Sequence, residues 1–350
     1  MNKKLLTLAV AGVVAGIAGV AQADVTVYGK AHVSIDRENT PGLTADNTVV
    51  SNNTSRLGFK FSDDLGGGLK AVGQYETAIN LDGENTSGTI LGGIRNTYVG
   101  LSSDAVGTVL AGRHDTPFKI IGRNVELFPE YVGDARNITS VDNFDLRVNN
   151  VIAYATPSMG GFSALLATVT ATNTDPATDN KNVNGAFSAN IAYSGGPLYV
   201  AVAYEQHNAL VNDATGYRAV ASGTFGMFKV VGLYQKVELG GAVNPDRTSY
   251  GLGAAATLAE NHVIKAQYYK ADALSNAIID NGASMYAIAY DYKFSKKTTG
   301  YIAYAKTTND DAGQFLVSNP GGDRSGHGEG LTPIVGNDVE ATSIGLIVDF

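Results

Sequence analysis

Apolar and polar positions alternate along most of the chain, from residue 24 to its last residue. In the first such segment Val25, Val27 and Ile35 fall on one side, whereas Lys30 falls on the other. A period of two residues is typical of a β-strand with one apolar and one polar face. Sixteen segments of this kind can be recognised, from 24–36 to 340–350. The pattern therefore predicts an all-β fold built from sixteen strands.

The connections between these segments alternate in length. Seven are short, such as 62–68 and 194–197, and eight are long and polar, such as 37–50 and 307–339. Outer-membrane barrels have short turns at one end, long loops at the other, and walls with a lipid face and a wet face. We therefore predict a transmembrane antiparallel β-barrel. A soluble β-sandwich is the alternative, but charged residues such as Lys60 and Glu76 on the polar faces do not suit a sandwich core.

The first 23 residues follow a different pattern. Lys3 and Lys4 precede an apolar stretch over 5–20, which ends in Ala21-Gln22-Ala23. This order is typical of a cleaved signal peptide, so we expect 1–23 to be removed and 24–350 to form a single barrel domain. The rest of the sequence has no apolar run near the roughly 20 residues of a membrane helix. Entry into a membrane would therefore require a closed barrel.

Composition narrows the possible chemistry. The chain has no cysteine, which excludes disulfides and thiolate sites. Without Lys3 and Lys4 it carries 23 basic and 33 acidic residues, a net charge of −10, which disfavours a nucleic-acid partner. The five histidines lack ligand spacing, and no Gly-x-Ser-x-Gly elbow occurs. We therefore predict no metal, no cofactor and no catalytic residue, and hence a protein that is not an enzyme.

One long connection, from His114 to Arg147, is the most informative segment. Compact folds leave so long a stretch without structure only when it has a function. Glu126, Glu130 and Asp134 recur within it at every fourth position. Successive helical turns would place these three carboxylates on one side of a helix.

Four motifs together are specific. They are Thr26-Val-Tyr-Gly-Lys30; Ser55-Arg-Leu-Gly-Phe-Lys60 followed by Asp64-Leu-Gly-Gly-Gly-Leu-Lys70; Arg95-Asn-Thr-Tyr-Val-Gly-Leu101 with Gly107-Thr-Val-Leu-Ala-Gly-Arg113; and Glu126-Leu-Phe-Pro-Glu130. With them the sequence resembles the general diffusion porins of Gram-negative bacteria over nearly all of residues 24–350. The terminal Phe350 is similar to the barrel-assembly signal of that family.

The resemblance implies a sixteen-stranded homotrimeric barrel whose third extracellular loop, here about 114–147, folds inward and narrows the channel. It also implies constriction acids at Glu126 and Glu130, with Asp134 nearby. The bases that the resemblance places opposite these acids are Lys30, Arg56, Arg95 and Arg147. Further lumen candidates come from the polar faces of the predicted strands: Lys60, Glu76 and Arg113.

Strand alternation independently turns Lys30 and Arg56 into the lumen. The direction of Arg95 depends on the phase of its strand. If Tyr98 faces lipid, Arg95 faces the lumen; if Val99 faces lipid, Arg95 does too. The motif and the cost of an arginine in lipid, about 2–4 kcal/mol, favour the lumen.

The function that the resemblance implies is passive, cofactor-free diffusion of ions and small hydrophilic solutes across the outer membrane of a Gram-negative bacterium. Expected partners are outer-membrane lipid and lipopolysaccharide, the barrel-assembly machinery and two further copies of the chain. Charges around a constriction would select ions, but the acidic mature chain and the basic wall residues leave the sign open.

Two alternatives remain at this stage. One is a solute-specific porin with a low-affinity site, for which Lys119 and Arg123 in the long connection leave room. The other is an adhesin or receptor barrel that acts through loops such as 319–330.

Overall fold

The computed structural model describes residues 23–39, 47–83, 90–140, 142–170, 185–208, 213–318, 327–328 and 333–350. The predicted signal peptide, apart from Ala23, lies outside the described residues. So does most of the 319–330 segment considered for a receptor role, apart from His327 and Gly328.

Strands make up most of the described chain. They are β1 (Asp24–Asn39), β2 (Asn47–Asn52), β3 (Arg56–Gly66), β4 (Leu69–Ile79), β5 (Leu91–Ile94), β6 (Thr97–Ser103), β7 (Gly107–Asp115), β8 (Arg147–Ala155), β9 (Phe162–Val169), β10 (Phe187–Gly195), β11 (Leu198–His207), β12 (Ala214–Phe225), β13 (Phe228–Glu238), β14 (Asp246–Leu258), β15 (His262–Ala271), β16 (Ala283–Lys293), β17 (Thr298–Asn309) and β18 (Val339–Asp349). Two helices, α1 (Pro117–Val125) and α2 (Arg136–Thr139), lie between β7 and β8. Within the described part of the chain, no helix has the length and apolar character needed to cross a membrane.

All the strands join one closed antiparallel sheet. Each strand pairs with its neighbours along the chain, and β1 pairs with β18 on one side and with β2 and β3 on the other. The eighteen segments form sixteen wall strands, because β2 and β3 belong to one strand interrupted at 53–55, and β5 and β6 to another interrupted at 95–96. The predicted sixteen-stranded barrel is confirmed. Because β1 pairs with β18, the sheet of described strands closes on itself, as a wall in lipid requires.

The two faces of the wall follow the predicted alternation. In β1, Val25 and Ile35 are about half exposed on the outside, whereas His32 and Asp36, at positions of the opposite parity, are fully buried on the inside. In β16 the outward residues are exposed and the inward ones buried; they are Tyr286, Ile288 and Tyr290, against Met285, Ala287 and Ala289. The period-two pattern was therefore sufficient to assign most side chains to a face.

The last residue completes the closure of the barrel. Phe350 and Gly29 exchange two backbone hydrogen bonds, both of 3.1 Å. A Cβ at Gly29 would lie 2.3 Å from the Phe350 ring, so only glycine lets the ring lie over this strand. The role of Phe350 as an assembly signal stays a prediction.

Candidate functional site

The segment between β7 and β8, residues 116–146 and here called the constriction loop, begins with α1. Thr116 caps the helix by accepting a hydrogen bond from the Lys119 amide, and Pro117 occupies the first turn, where its missing N–H costs nothing. Phe118, Ile121 and Val125 share one face of the helix and are buried. The apolar face of α1 therefore has to pack against another surface.

That surface is the inner wall of the barrel. The buried residues of the constriction loop form one apolar cluster with inward residues from β10 to β18. Many of these wall residues are alanines: Ala192, Ala201, Ala203, Ala255, Ala287, Ala289, Ala303 and Ala305. We expected a polar inner face throughout; over this arc many inward residues are small and apolar instead, and they leave room for the loop. Each large apolar side chain buried here contributes about 1.5–3 kcal/mol.

The loop and the wall are in direct contact at Gly133. Its φ is +75°, and a Cβ there would lie 2.5 Å from the Ala287 Cβ and 2.7 Å from the Ala305 Cβ. Replacing Gly133 with alanine should therefore push the loop toward the channel axis, in addition to a backbone cost of about 1–2 kcal/mol. We expect a lower single-channel conductance.

Gly226→Ala is the matched control for this substitution. Gly226 has a φ of +60° in the turn between β12 and β13, and nothing lies within 4 Å of its added Cβ. It should carry the backbone cost without the clash and keep wild-type conductance. Equal conductance in the two variants would contradict the contact between the loop and the wall.

The three regularly spaced acids do not share a helix. α1 ends at Val125, Glu126 is extended (φ −65°, ψ 128°), and Glu130 has a φ of +65°. The prediction of a helix that aligns the three carboxylates is therefore wrong. Pro129, which disfavours helical geometry at the residue before it, and Gly133 were the signals against it.

Glu130 lies at the centre of a basic cluster. Its carboxylate is 2.7 Å from Arg56 Nη1, 3.2 Å from Lys30 Nζ and 3.8 Å from Arg123 Nη2. Lys30 comes from β1, Arg56 from β3 and Arg123 from α1. We expected a gap between the loop acids and the wall bases, but at Glu130 the two are in direct contact.

Arg95 faces inward and pairs with Glu76 of β4, with 2.6 Å between Arg95 Nε and Glu76 Oε1. Val99 is nonetheless exposed on the outer face. In an unbroken strand Arg95 and Val99 would lie on the same face. They lie on opposite faces because the strand is interrupted at 95–96, between β5 and β6. Glu76 also accepts a hydrogen bond from the Tyr28 hydroxyl, and Lys60 Nζ lies 4.9 Å from the centre of the Tyr28 ring.

Arg147 belongs to a second charged group at the base of the loop. Its guanidinium lies 3.1 Å from Asp115, which also pairs with Lys119 at 3.0 Å. Lys119 is buried, so it does not present its charge to a passing solute. Arg113, at a bulge in β7, donates to Asn149 and to the carbonyl of Ile94.

The two other loop acids are held within the loop. Asp134 pairs at 3.0 Å with both Arg123 and Arg136. Glu126 accepts hydrogen bonds from two loop amides and from Gln267 of β15. Burial, together with the nearby charge of Asp134, raises the pKa of the Glu126 carboxyl to about 7. Glu126 is therefore the acid of this group whose charge is least secure at neutral pH.

The loop is anchored to the wall by residues that the sequence patterns did not single out. Arg218 of β12 pairs with Asp145, lies over the Phe118 ring at 4.1 Å and bonds Gln235, which donates to the Thr139 carbonyl. Its inward position could have been deduced from the alternation in β12, but its partner in the loop could not.

A second anchor lies on β15. Lys265 pairs with Asp291 at 2.9 Å and sits 3.7 Å from the centre of the Tyr131 ring. Together the anchors hold the loop inside the barrel. The arrangement brings charged groups of the loop and of the wall together inside the barrel.

Both the sequence and the fold of this chain match known proteins. The model of the Gram-negative porin family matches residues 7–312. Outer membrane porin protein 32 of Delftia acidovorans is 31% identical over 338 residues, which cover 89% of this chain and 91% of that protein. An anion-selective porin from Comamonas acidovorans superposes with a TM-score of 0.79 at 27% identity, over 94% of this chain and all of that one. OmpT of Vibrio cholerae shares the fold, with a TM-score of 0.68 at 15% identity, over 94% of this chain and 99% of that one.

The chain belongs to the Gram-negative porin family. It is a channel of the outer membrane for passive diffusion of ions and small hydrophilic solutes. The described part of the 319–330 segment, His327 and Gly328, is buried inside the barrel, which offers no support for a receptor role there.

Proposed function

We propose that this porin is a weakly anion-preferring diffusion channel whose selectivity is set by the charged groups around Glu130. The observation that carries the proposal is the difference in exposure between bases and acids. The side chains of Lys30, Arg56 and Arg123 are 17%, 20% and 24% exposed, whereas that of Glu130 is 4% exposed. A passing ion therefore meets basic surface first.

The charge balance of the same group has the same sign. Its bases are Lys30, Arg56, Arg95, Arg123 and Arg136, and the carboxylates paired with them are Glu76, Glu130 and Asp134. Even with Glu126 counted as a full charge, bases outnumber acids. The local balance is thus opposite to that of the whole chain, whose formal charge is −8.

Physically, an excess of fixed positive charge at a narrow passage raises the local concentration of anions and lowers that of cations. The preference should be weak, because the bases that face the water are each in contact with a carboxylate that cancels part of their field. Water and small hydrated ions adapt to such a passage, whereas bulky or apolar solutes must break its ordered hydration.

Swelling of protein-loaded liposomes in uncharged, anionic and cationic solutes of matched size tests this proposal. We expect all three kinds of solute to enter, the anionic one faster than the cationic one. Faster entry of the cationic solute would contradict the proposed sign, and no swelling in any solute would contradict diffusion itself.

We propose that residues 1–23 direct export and are removed, that 24–350 insert as one barrel through the assembly machinery into lipid and lipopolysaccharide, and that three copies associate. OmpT of Vibrio cholerae is described in a trimer form, which supports the last point by analogy of fold. Chemical cross-linking of the protein in intact outer membranes should give a species of three chains; a single chain only would contradict the trimer.

A further inference from the structure

Two described stretches of the connection between β17 and β18, residues 315–318 and 327–328, lie buried inside the barrel. Near its start, the Val317 carbonyl accepts hydrogen bonds from the Gly133 amide at 2.7 Å and from Asn137 Nδ2 at 2.9 Å. The Ser318 hydroxyl donates to Glu38 of β1 at 2.6 Å. Residues 315–318 are buried. This connection therefore packs directly onto the constriction loop.

Further along, His327 reaches the constriction itself. Its Nδ1 lies 2.8 Å from the carbonyl oxygen of Glu130, and its Nε2 lies 3.2 Å from Asp36 Oδ2. The His327 and Asp36 side chains are both fully buried. The next residue, Gly328, donates its amide to Asn53 in the gap between β2 and β3. The imidazole is thus fixed from the wall on one side and holds the loop on the other.

The protonation state of His327 follows from its partners. A carbonyl oxygen can only accept, so Nδ1 must carry a hydrogen, and a carboxylate oxygen facing Nε2 favours a second one. The geometry therefore fits the imidazolium ion. Burial alone would lower the pKa of His327, but the adjacent carboxylate of Asp36 raises it above its ordinary value.

The residue that His327 holds is conformationally strained. Glu130 has a φ of +65°, in the left-handed region that residues with a Cβ rarely adopt. Its amide is fixed by Asp134 Oδ2 at 2.8 Å and its carbonyl by His327. Such a conformation persists only where the surroundings fix it. These two contacts set where the Glu130 carboxylate lies between Lys30 and Arg56.

We propose that His327 is a positioning residue for selectivity: by clamping the Glu130 backbone it keeps that carboxylate beneath the wall bases, out of the path of passing ions. The inference rests on the proposed anion preference. Loss of the clamp should expose Glu130 and thereby lower the ratio of anion to cation permeability.

The clamp should depend on pH. The groups that face His327 are His32, Asp36 and Glu38 from β1 and Glu130 from the constriction loop. Since the pKa of His327 is raised, its ion pair is fully present below the ordinary histidine value of about 6.5 and is lost as pH rises through the raised value. Selectivity for anions should therefore fall on the alkaline side.

The test is the reversal potential of purified channels in planar bilayers under a potassium chloride gradient, over roughly pH 6 to 10, a range that spans histidine titration at a raised pKa. We expect wild-type anion preference to fall as pH rises. His327→Gln should show the lower preference and a smaller fall, since only Glu126 is left to titrate in the loop over this range. His262→Gln is the control. His262, at the start of β15, bonds the hydroxyl of Tyr290 at the barrel end where short turns join β14 to β15 and β16 to β17. This variant should match the wild type.

A double variant separates positioning from the charge of His327 itself. In a Glu130→Gln background there is no carboxylate left to position, so adding His327→Gln should shift the reversal potential much less than it does in the wild type. Equal shifts in both backgrounds, or a wild-type reversal potential that does not change with pH, would overturn the inference. Absence of anion preference in the wild type at neutral pH would instead count against the proposed function. If His327→Gln does not fold, Glu126→Gln decides, because Glu126 is another loop group whose pKa, about 7, lies in this range. A fall in anion preference at alkaline pH that persists in Glu126→Gln supports the inference, and loss of that fall overturns it.

Discussion

Replacing Glu130 with glutamine should increase the ratio of anion to cation permeability more than any other single substitution at the constriction. The change removes a carboxylate that contacts Lys30, Arg56 and Arg123 together. A unit charge about 5 Å from the ion path in water is worth about 0.8 kcal/mol, and salt at about 0.1 M screens part of it. We therefore expect a rise of roughly two- to fourfold in the permeability ratio.

Reversal potentials under a salt gradient measure this ratio. Asp246→Asn is the matched control, since it removes the same charge from an exposed pair with Lys236, whose side chains are 31% and 41% exposed. It should leave the ratio near the wild-type value. If Glu130→Gln changed the ratio no more than Asp246→Asn does, the selectivity would not be set at the Glu130 cluster.

Replacing Arg218 with leucine should release the constriction loop from the wall. The substitution leaves Asp145 buried without its guanidinium partner, and breaking a buried ion pair in this way costs about 3–5 kcal/mol. It also removes the contact of Arg218 with the Phe118 ring and its bond to the Phe118 carbonyl. The barrel, held by its backbone ladder, should stay folded while the loop moves.

Single-channel recording shows such a release directly, as a larger open conductance with more frequent current fluctuations. Asp145→Asn added to Arg218→Leu is the informative companion, because removing both charges leaves no unpaired buried ion. The double variant should have an open conductance and a frequency of current fluctuations closer to those of the wild type. Quiet, wild-type conductance in Arg218→Leu alone would show that this pair does not anchor the loop.

Much of the fold could be predicted because one physical rule fixes it. In lipid every backbone hydrogen bond has to be made within the wall, and alternate side chains must face lipid. Segments such as β1 and β16 therefore show their outward faces in the sequence. Where the ladder is interrupted, as between β5 and β6, the phase is lost, and Arg95 could be assigned only by its motif and by the cost of facing lipid.

The constriction was harder to predict because its contacts are made between distant segments. The motifs suggested Glu130, Lys30 and Arg56, yet the sequence did not show that the loop brings them into direct contact. The alanines of the inner wall can be read in the sequence, but alanine fits either face of a strand, so their inward direction could not be predicted. The anchors at Arg218 and the return of His327 into the barrel depend on tertiary packing, which carries no local periodicity.

The most direct test of the whole account is the reversal potential of the wild-type channel in a planar bilayer under a potassium chloride gradient at neutral pH. We predict ohmic conductance steps with a small reversal potential of the sign produced by chloride permeating faster than potassium. A reversal potential of the opposite sign would contradict the proposed role of the exposed bases at Glu130, and a membrane without conductance steps would contradict the open channel.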